Sequence, residues 1–223
     1  MTAPHMDDGM FEPEPTGERS APRAIVYLHG FRSSPASFKS RELEAELHRL
    51  GHDGIFHAPE LPASPLLAVR LALALSIIAL DGATPAEHLV IVGSSLGGLY
   101  ATVVAERLGC RAVLINPAVN AQRDLSPLVG THTYFHDATR SFEFLPSYVD
   151  ELRALEPAAI TRPERYFLIA ATGDEVLDWR ESAARYAGAR QTIVQGSDHG
   201  LSDFAEHLPA ILDFCGIDGA RPA

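Results

Sequence analysis

One serine of this chain has the spacing of a catalytic nucleophile. Gly93, Ser95 and Gly97 form the pattern G-x-S-x-G, after an apolar run over residues 88–92 and before an amphipathic segment over residues 96–108. A serine hydroxyl becomes reactive when a tight strand-to-helix turn holds it beside a base. Glycines two positions to either side remove the Cβ atoms that would collide where strand and helix meet. The pattern predicts a nucleophile elbow with Ser95 at its apex.

The same turn supplies half of an oxyanion hole. The Leu96 backbone N–H lies at the N-terminus of the predicted helix, where it can stabilise a developing negative charge. We expect a second N–H from Phe31, because a buried strand ends in His29-Gly30-Phe31 and this loop faces the elbow across the strand ends. His29 is expected to hold the loop rather than to transfer protons. Ser94, which is next to the apex, is interpreted as structural.

His199 is the favoured base among the ten histidines. It follows the last predicted strand and precedes the last predicted helix. Serine, acid and histidine therefore occur in the chain order that is typical of a nucleophile elbow between a strand and a helix of a parallel sheet. A histidine in a polar surface loop is the alternative interpretation. His132 and His136 are four residues apart but lack any HExxH context, so we predict no metal site, and the mechanism needs no cofactor.

Three carboxylates follow the preceding predicted strand, and one of them must orient the histidine. Asp174 comes directly after a turn glycine, Gly173, and is the favoured acid. Asp178 has the spacing of a capping box with Glu181 and is assigned to the start of the next helix. Glu175 is expected to point to solvent.

Composition excludes several classes of function. The chain has 223 residues and a formal net charge of −11, without a cluster of lysine and arginine, which argues against nucleic acid and anionic membranes as partners. Cys110 and Cys215 lie in apolar segments and imply no disulfide framework. The N-terminus lacks the features of a signal peptide, and the longest apolar stretch, residues 66–80, contains Arg70 and is too short to span a bilayer. We expect a cytoplasmic protein.

Strands and helices alternate along most of the chain, which predicts a mostly parallel sheet with helices on both faces. Ligands of such sheets bind at the carboxyl ends of the strands. The predicted strands are 24–28, 54–58, 88–92, 111–115, 165–171 and 191–194. The predicted helices are 41–50, 66–80, 96–108, 148–155, 178–186 and 201–214. Residues 24–216 are expected to form one domain, between a poorly ordered acidic and proline-rich tail (1–23) and a C-terminal tail (217–223).

Residues 118–160 interrupt this alternation and are interpreted as a small cap. The segment contains scattered aromatic residues, of which Phe142, Phe144 and Tyr148 are candidates for an apolar wall over the acyl side of Ser95. The alternative is that these side chains only seat the cap on the core. A wall from so short an insert predicts a small pocket and acyl chains of about two to six carbons.

Several motifs in order resemble those of the YqiA/YcfP-like esterases, a bacterial group of α/β hydrolases. The resemblance extends over about residues 24–216. It is carried by Tyr27-Leu28-His29-Gly30-Phe31, Gly93-Ser94-Ser95-Leu96-Gly97-Gly98, Asn116-Pro117-Ala118-Val119, Thr172-Gly173-Asp174-Glu175 and Arg190-Gln191-Thr192 leading to His199. It implies an α/β-hydrolase fold, a serine-esterase mechanism with Ser95 as nucleophile, Asp174 as acid and His199 as base, and short acyl esters or thioesters as substrates.

The sequence therefore predicts a serine esterase that hydrolyses short-chain carboxylic esters through an acyl-enzyme. An acyl-CoA or other acyl thioesterase is the first alternative, and it would favour basic residues near the site, for which only Arg32 and Lys39 are candidates. A non-catalytic binding module on the same fold is the second, and it would tolerate loss of the nucleophile, acid or base.

Overall fold

The computed structural model describes residues 21–218 and contains eight strands. Six of them form one entirely parallel sheet in the order β2-β1-β3-β4-β7-β8, and β5 and β6 form a separate antiparallel hairpin. The strands are β1 (Ala24–Leu28), β2 (Phe56–His57), β3 (Leu89–Ser94), β4 (Arg111–Ile115), β5 (Gly130–Thr133), β6 (Ser141–Phe144), β7 (Tyr166–Ala171) and β8 (Arg190–Val194).

Eight α-helices connect and cover these strands. They are α1 (Phe38–Arg49), α2 (Pro65–Leu80), α3 (Pro85–His88), α4 (Leu96–Leu108), α5 (Ala121–Leu125), α6 (Pro146–Leu155), α7 (Trp179–Arg185) and α8 (Phe204–Cys215). Within residues 21–218, no helix is both long enough and apolar enough to cross a membrane.

The central strands are apolar throughout because both faces of the sheet are covered. In β1, Ala24, Val26 and Leu28 pack into a core shared with α2 and α4. Ile25 and Tyr27 point the other way, into a core shared with α1 and α8. A strand buried on both faces shows no alternation of polar and apolar residues, and this is why short apolar runs predicted these strands correctly.

Most predicted elements are present, with differences at their ends. The strands 24–28 and 111–115 and the helix 96–108 have the predicted bounds. The last helix begins at Phe204 rather than at residue 201, because Leu201 has a positive φ of 53°, which a right-handed helix does not allow. The edge strand β2 has two residues instead of the predicted five.

The insert 118–160 is more regular than expected. It contains α5, the β5–β6 hairpin and α6, of which only the last was predicted. Helix α6 packs against α2 and α5. Of the two predicted tails, residues 1–20 and 219–223 lie outside the described part of the chain. The Arg23 N–H donates to the His88 carbonyl oxygen (2.9 Å) and so joins the start of β1 to the start of β3.

Candidate active site

Ser95 is held at a sharp turn between β3 and α4. Its backbone has φ 55° and ψ −121°, a region that residues other than glycine rarely occupy. Hydrogen bonds fix this conformation: the Ser95 N–H donates to the Ile115 carbonyl oxygen (3.0 Å), and the Ser95 carbonyl oxygen accepts from the N–H groups of Gly98 (2.8 Å) and Ala118 (3.0 Å). The strained residue is therefore held from β4 as well as from its own helix.

The glycines around Ser95 permit an approach that no other residue could make. A Cβ atom on Gly93 would lie 2.2 Å from the Gly97 carbonyl oxygen, and one on Gly97 would lie 2.0 Å from the Leu28 carbonyl oxygen. Both neighbours are backbone atoms that cannot move aside independently. The two glycines of the G-x-S-x-G pattern thus let α4 begin directly against β1 and β3, as the sequence predicted.

The side chains of Ser95, His199 and Asp174 form a continuous chain of contacts. The His199 Nε2 atom is 3.0 Å from Ser95 Oγ, and its Nδ1 atom is 2.9 and 3.0 Å from the two carboxylate oxygens of Asp174. The Asp174 side chain is 2% exposed and that of His199 is 20% exposed. The three residues come from the loops after β3, β7 and β8, which end at the same edge of the sheet.

The loop that carries Asp174 also donates hydrogen bonds to its carboxylate. Its Oδ1 atom also accepts hydrogen bonds from the N–H groups of Val176 and Leu177 (2.8 Å each). Burial raises the pKa of Asp174, but the hydrogen bonds from His199, Leu177 and Val176 outweigh burial and leave this pKa below its ordinary value. The carboxylate therefore stays ionised beside the imidazole at neutral pH.

The two neighbouring carboxylates have other contacts. Asp178 is the N-cap of α7, as expected, and its Oδ1 atom accepts from the Arg180 N–H (3.0 Å). The predicted capping box is not formed, because the Glu181 carboxylate accepts from Arg123 and Asn120. Glu175 is exposed, but it does not simply point to solvent, because its Oε2 atom accepts from the His199 backbone N–H (3.0 Å). This second carboxylate holds the backbone of the histidine loop.

Asn116 also holds the loop that carries His199, a role that sequence reasoning missed. Its Nδ2 group donates to the carbonyl oxygens of Asp198 (3.1 Å) and His199 (2.9 Å), while its Oδ1 atom accepts from the Ala171 N–H (2.8 Å). Asn116 directly follows β4 and has a positive φ of 41°. A polar residue after a strand was the available signal, but its partners lie 55, 82 and 83 residues away.

Lys39 supports the histidine loop from the opposite side. Its side chain is buried and its Nζ group donates to the Gly200 carbonyl oxygen. Burial lowers the pKa of Lys39 to about 8, against the opposing influence of the carboxylates of Asp198 and Asp174. Apolar periodicity did not indicate a buried lysine at this position.

The loop after β1 passes close to Ser95. Gly30 lies so close that a Cβ atom there would be 3.0 Å from the Ser95 Cβ. Among residues 21–218, no protein group accepts a hydrogen bond from the N–H of Phe31 or Leu96. His29 holds this loop, since its Nε2 atom accepts from the Leu61 N–H (3.2 Å) and its Nδ1 atom is 3.0 Å from the Gly30 carbonyl oxygen.

The burial of His29 agrees with this holding role. Burial lowers the pKa of His29, although the hydrogen bond with the Gly30 carbonyl oxygen opposes the shift. A neutral imidazole has one donor and one acceptor nitrogen, and these two contacts require one of each.

The β5–β6 hairpin clamps the Phe31 loop. The Arg32 Nε group donates to the Thr133 carbonyl oxygen (2.8 Å), and its guanidinium lies 4.3 Å from the centre of the Phe135 ring. The Phe135 N–H donates back to the Arg32 carbonyl oxygen (2.9 Å). The Phe31 ring contacts an aromatic cluster at centroid distances of 5.0 to 5.5 Å, formed by His132, Phe142 and Phe144.

A small cavity of about 30 Å³ is lined in part by Phe31 and Leu96, the two residues with free N–H groups. Of the three predicted substrate-binding aromatics, Phe142 is in its lining, whereas Phe144 and Tyr148 are not. Phe144 is 1% exposed and packs between Phe31 and Tyr148, with centroid distances of 5.2 and 5.8 Å. The lining consists of His29, Gly30, Phe31, Arg32, Ser33, Leu61, Pro62, Ala63, Leu96, Tyr100, Tyr134 and Phe142.

The histidines of the insert have structural contacts. His132 bonds through Nε2 to the Leu128 carbonyl oxygen (2.5 Å), and the ring of His136 packs against that of Tyr134. In the part of the chain that the structure describes, no three or more side chains of His, Cys, Asp or Glu are grouped so that they could hold a metal ion.

Known structures share this fold. A protein from Agrobacterium vitis S4 is 19% identical, with 88% of this chain and 91% of that chain covered and a TM-score of 0.67. Alpha/beta hydrolase domain-containing protein 10 from mouse is 20% identical, with 85% and 88% covered and a TM-score of 0.60. A monoacylglycerol lipase from Paleococcus ferrophilus is 18% identical, with 88% and 95% covered and a TM-score of 0.60. The likeness confirms the predicted fold class, the α/β-hydrolase fold.

The family assignment rests on the sequence itself. The chain belongs to the Uncharacterised protein family (UPF0227), whose model matches residues 24–216. This is the YqiA/YcfP family, so the resemblance seen in the ordered motifs is confirmed over the same span.

Proposed function

We propose that this protein is a serine hydrolase that cleaves short-chain carboxylic esters through an acyl-enzyme. The observation that carries the proposal is the chain of contacts from Ser95 Oγ through His199 to the buried Asp174 carboxylate. Nucleophilic acyl transfer requires a nucleophile that is hydrogen-bonded to a base, and a third group that orients this base. The fold is shared with a monoacylglycerol lipase, which supports ester chemistry on this framework.

In the proposed acylation step, Ser95 Oγ attacks the ester carbonyl carbon while His199 Nε2 takes the hydroxyl proton. Asp174 keeps the proton on Nδ1 and stabilises the imidazolium that forms. The free N–H groups of Phe31 and Leu96 bind the oxyanion of the tetrahedral intermediate. His199 then gives its proton to the leaving alkoxide, which departs as the alcohol and leaves the acyl group on Ser95.

Deacylation repeats these roles with water as the nucleophile. His199 Nε2 takes a proton from the water as the water oxygen attacks the acyl carbon. The Ser95 oxygen then leaves and takes that proton back, which releases the carboxylic acid and restores the resting state.

The size of the cavity favours short acyl groups. Phe31 and Leu96 are part of its lining, and its volume of about 30 Å³ has room for only a few carbon atoms. Each methylene that enters adds about 0.8 kcal/mol of binding, or about fourfold in kcat/KM, only while there is apolar surface to cover it. We expect kcat/KM to rise from two carbons and to reach its maximum by about six.

An acyl-CoA thioesterase is the second candidate, since the same chemistry cleaves thioesters. The two cations considered for its nucleotide phosphates are engaged within the protein: Arg32 with Thr133 and Phe135, and the buried Lys39 with Gly200. A binding module without catalysis would have no need for the aligned contacts of Ser95, His199 and Asp174. Both facts favour the esterase.

The experiment is a kcat/KM series with p-nitrophenyl esters from acetate to palmitate, measured beside the matching acyl-CoA series. We expect ester hydrolysis with an optimum between two and six carbons. A value that still rises at twelve carbons would contradict the small pocket and favour a lipase or a long-chain thioesterase. Hydrolysis of acyl-CoA in preference to every ester would establish the thioesterase, and hydrolysis of neither would favour the binding module.

A further inference from the structure

Tyr100 has no part in the proposed chemistry, yet its side chain lines the cavity beside the oxyanion hole. It lies one turn after Leu96 on α4, on the same face of the helix, and is only 3% exposed. We propose that the Tyr100 hydroxyl is a specificity site for a neutral polar group on the acyl part of the substrate, so that the preferred esters are those of short hydroxy or oxo acids. This rests on the proposed function.

The hydroxyl of Tyr100 is unpaired, unlike those of comparable tyrosines. Tyr186 bonds to Thr102 Oγ1 (2.8 Å), and Tyr166 donates to Glu106 Oε1 (2.5 Å). Among residues 21–218, no hydrogen bond to the Tyr100 hydroxyl is found, and this hydroxyl is not one of the fully buried polar atoms that lack a partner. A hydroxyl that is neither hydrogen-bonded within the protein nor sealed from water is open to the cavity that its residue lines. A ligand atom can therefore replace water as its partner.

Glu151, whose charge acts on Tyr100, has hydrogen-bond partners elsewhere. Glu151 Oε2 accepts from Ser64 Oγ (2.7 Å) and from the Leu66 N–H (2.9 Å), so Glu151 is fixed at the start of α2 rather than bonded to Tyr100. Burial raises the pKa of Tyr100, and the charge of Glu151 raises it further. The phenol thus stays protonated and can donate a hydrogen bond.

The position of the hydroxyl limits the ligand to a short acyl chain. The lining includes both Phe31 and Leu96, so an acyl group whose carbonyl oxygen lies in the proposed oxyanion hole can extend into the cavity. Tyr100 is about 6 Å further along the helix axis, and helical side chains tilt back towards the N-terminus. We therefore expect a three- to five-carbon acyl group to reach the phenol.

The charge of the surroundings excludes an anionic acyl group. Glu151 would repel a carboxylate at this position, and the Arg32 guanidinium is held by Thr133 and Phe135. Other lining side chains, such as Leu61, Pro62 and Phe142, are apolar. A neutral donor beside these apolar side chains matches a hydroxyl or keto oxygen on an otherwise apolar chain.

The test compares methyl butyrate with methyl 3-hydroxybutyrate and methyl 3-oxobutyrate, with kcat/KM measured by pH-stat titration. Wild type is expected to prefer the two oxygenated esters, and Tyr100→Phe is expected to lower that preference about tenfold. Tyr186→Phe is the matched control, because it removes a buried hydroxyl whose partner is Thr102, away from the cavity. It should leave the preference unchanged.

An equal preference in wild type and Tyr100→Phe would overturn the proposal, because the hydroxyl would then contact only solvent. A tenfold loss in Tyr186→Phe as well would overturn it too, since the effect would be a general result of losing a buried hydroxyl. The proposed function fails separately: no hydrolysis of plain or oxygenated esters by wild type, or unchanged hydrolysis by Ser95→Ala, would refute it and this specificity with it.

Discussion

Replacement of Asp174 by asparagine is expected to reverse the proton arrangement of His199. The Oδ1 site of Asp174 accepts two backbone N–H groups, from Val176 and Leu177, at 2.8 Å each. In Asp174→Asn the side-chain oxygen must occupy that site, because an amide NH₂ there would face two donors. The NH₂ group then points at His199 Nδ1, which has to accept, so the ring proton moves to Nε2.

A histidine with its proton on Nε2 cannot take the proton of Ser95 Oγ, which is 3.0 Å away. The expected loss in kcat is about 10³- to 10⁴-fold, which corresponds to about 4 to 5 kcal/mol in the activation barrier. The fold should be unaffected, since the asparagine keeps the two backbone contacts.

The assay is kcat for a short p-nitrophenyl ester at pH 7, with thermal unfolding measured on the same samples. Asp178→Asn is the control, because asparagine also caps helices well and Asp178 caps α7. It should retain most of the activity. A kcat for Asp174→Asn within tenfold of wild type would refute this reasoning, and a worse enzyme from Asp178→Asn would mean that the roles of the two carboxylates must be exchanged.

Two further changes test the supports of the site. Arg32→Ala should lower kcat about tenfold with little change in stability, because the loop that carries the Phe31 N–H loses its contacts with the hairpin. Arg140→Ala, which removes a cation that pairs with Glu60 and packs on Tyr134, should not lower kcat, and equal losses would contradict the clamp. Lys39→Met tests the buried ammonium: its folded pKa of about 8 is below its unfolded value, so the unfolded chain binds more protons between these values. Wild type should therefore gain about 2 kcal/mol of unfolding free energy relative to Lys39→Met from pH 8 to pH 10 in urea titrations, and a difference that does not depend on pH would refute the lowered pKa.

The parts of the site that the sequence predicts are those with local signals. Ser95, Asp174 and His199 each follow a buried strand directly, and parallel strands bring their carboxyl ends to one edge. The elbow has in addition its two glycines, which are needed because backbone atoms approach where a Cβ would be. For these residues, chain order and strand ends were enough to predict their proximity.

The supports of the site depend on contacts between distant parts of the chain. Asn116 bonds to carbonyl groups 82 and 83 residues further along, and Arg32 bonds to a residue 101 positions away. The hairpin that holds Arg32 has a polar, partly exposed first strand, Gly130–Thr133, and its connection lacks the Asn-Gly or Asp-Gly signal of a short turn. The pairing of the two hairpin strands depends on packing against the Phe31 loop. No local pattern in residues 118–160 indicates this contact.

The identity of the nucleophile is the central claim, and covalent labelling tests it most directly. A fluorophosphonate probe should modify wild type and Ser94→Ala stoichiometrically, with the adduct found by peptide mass spectrometry on Ser95 and ester hydrolysis lost in proportion. Ser95→Ala should stay folded, take up no probe and hydrolyse no ester, because the buried Ser94 belongs to β3 and has no base beside it. An adduct on Ser94, with labelling retained in Ser95→Ala, would contradict the account.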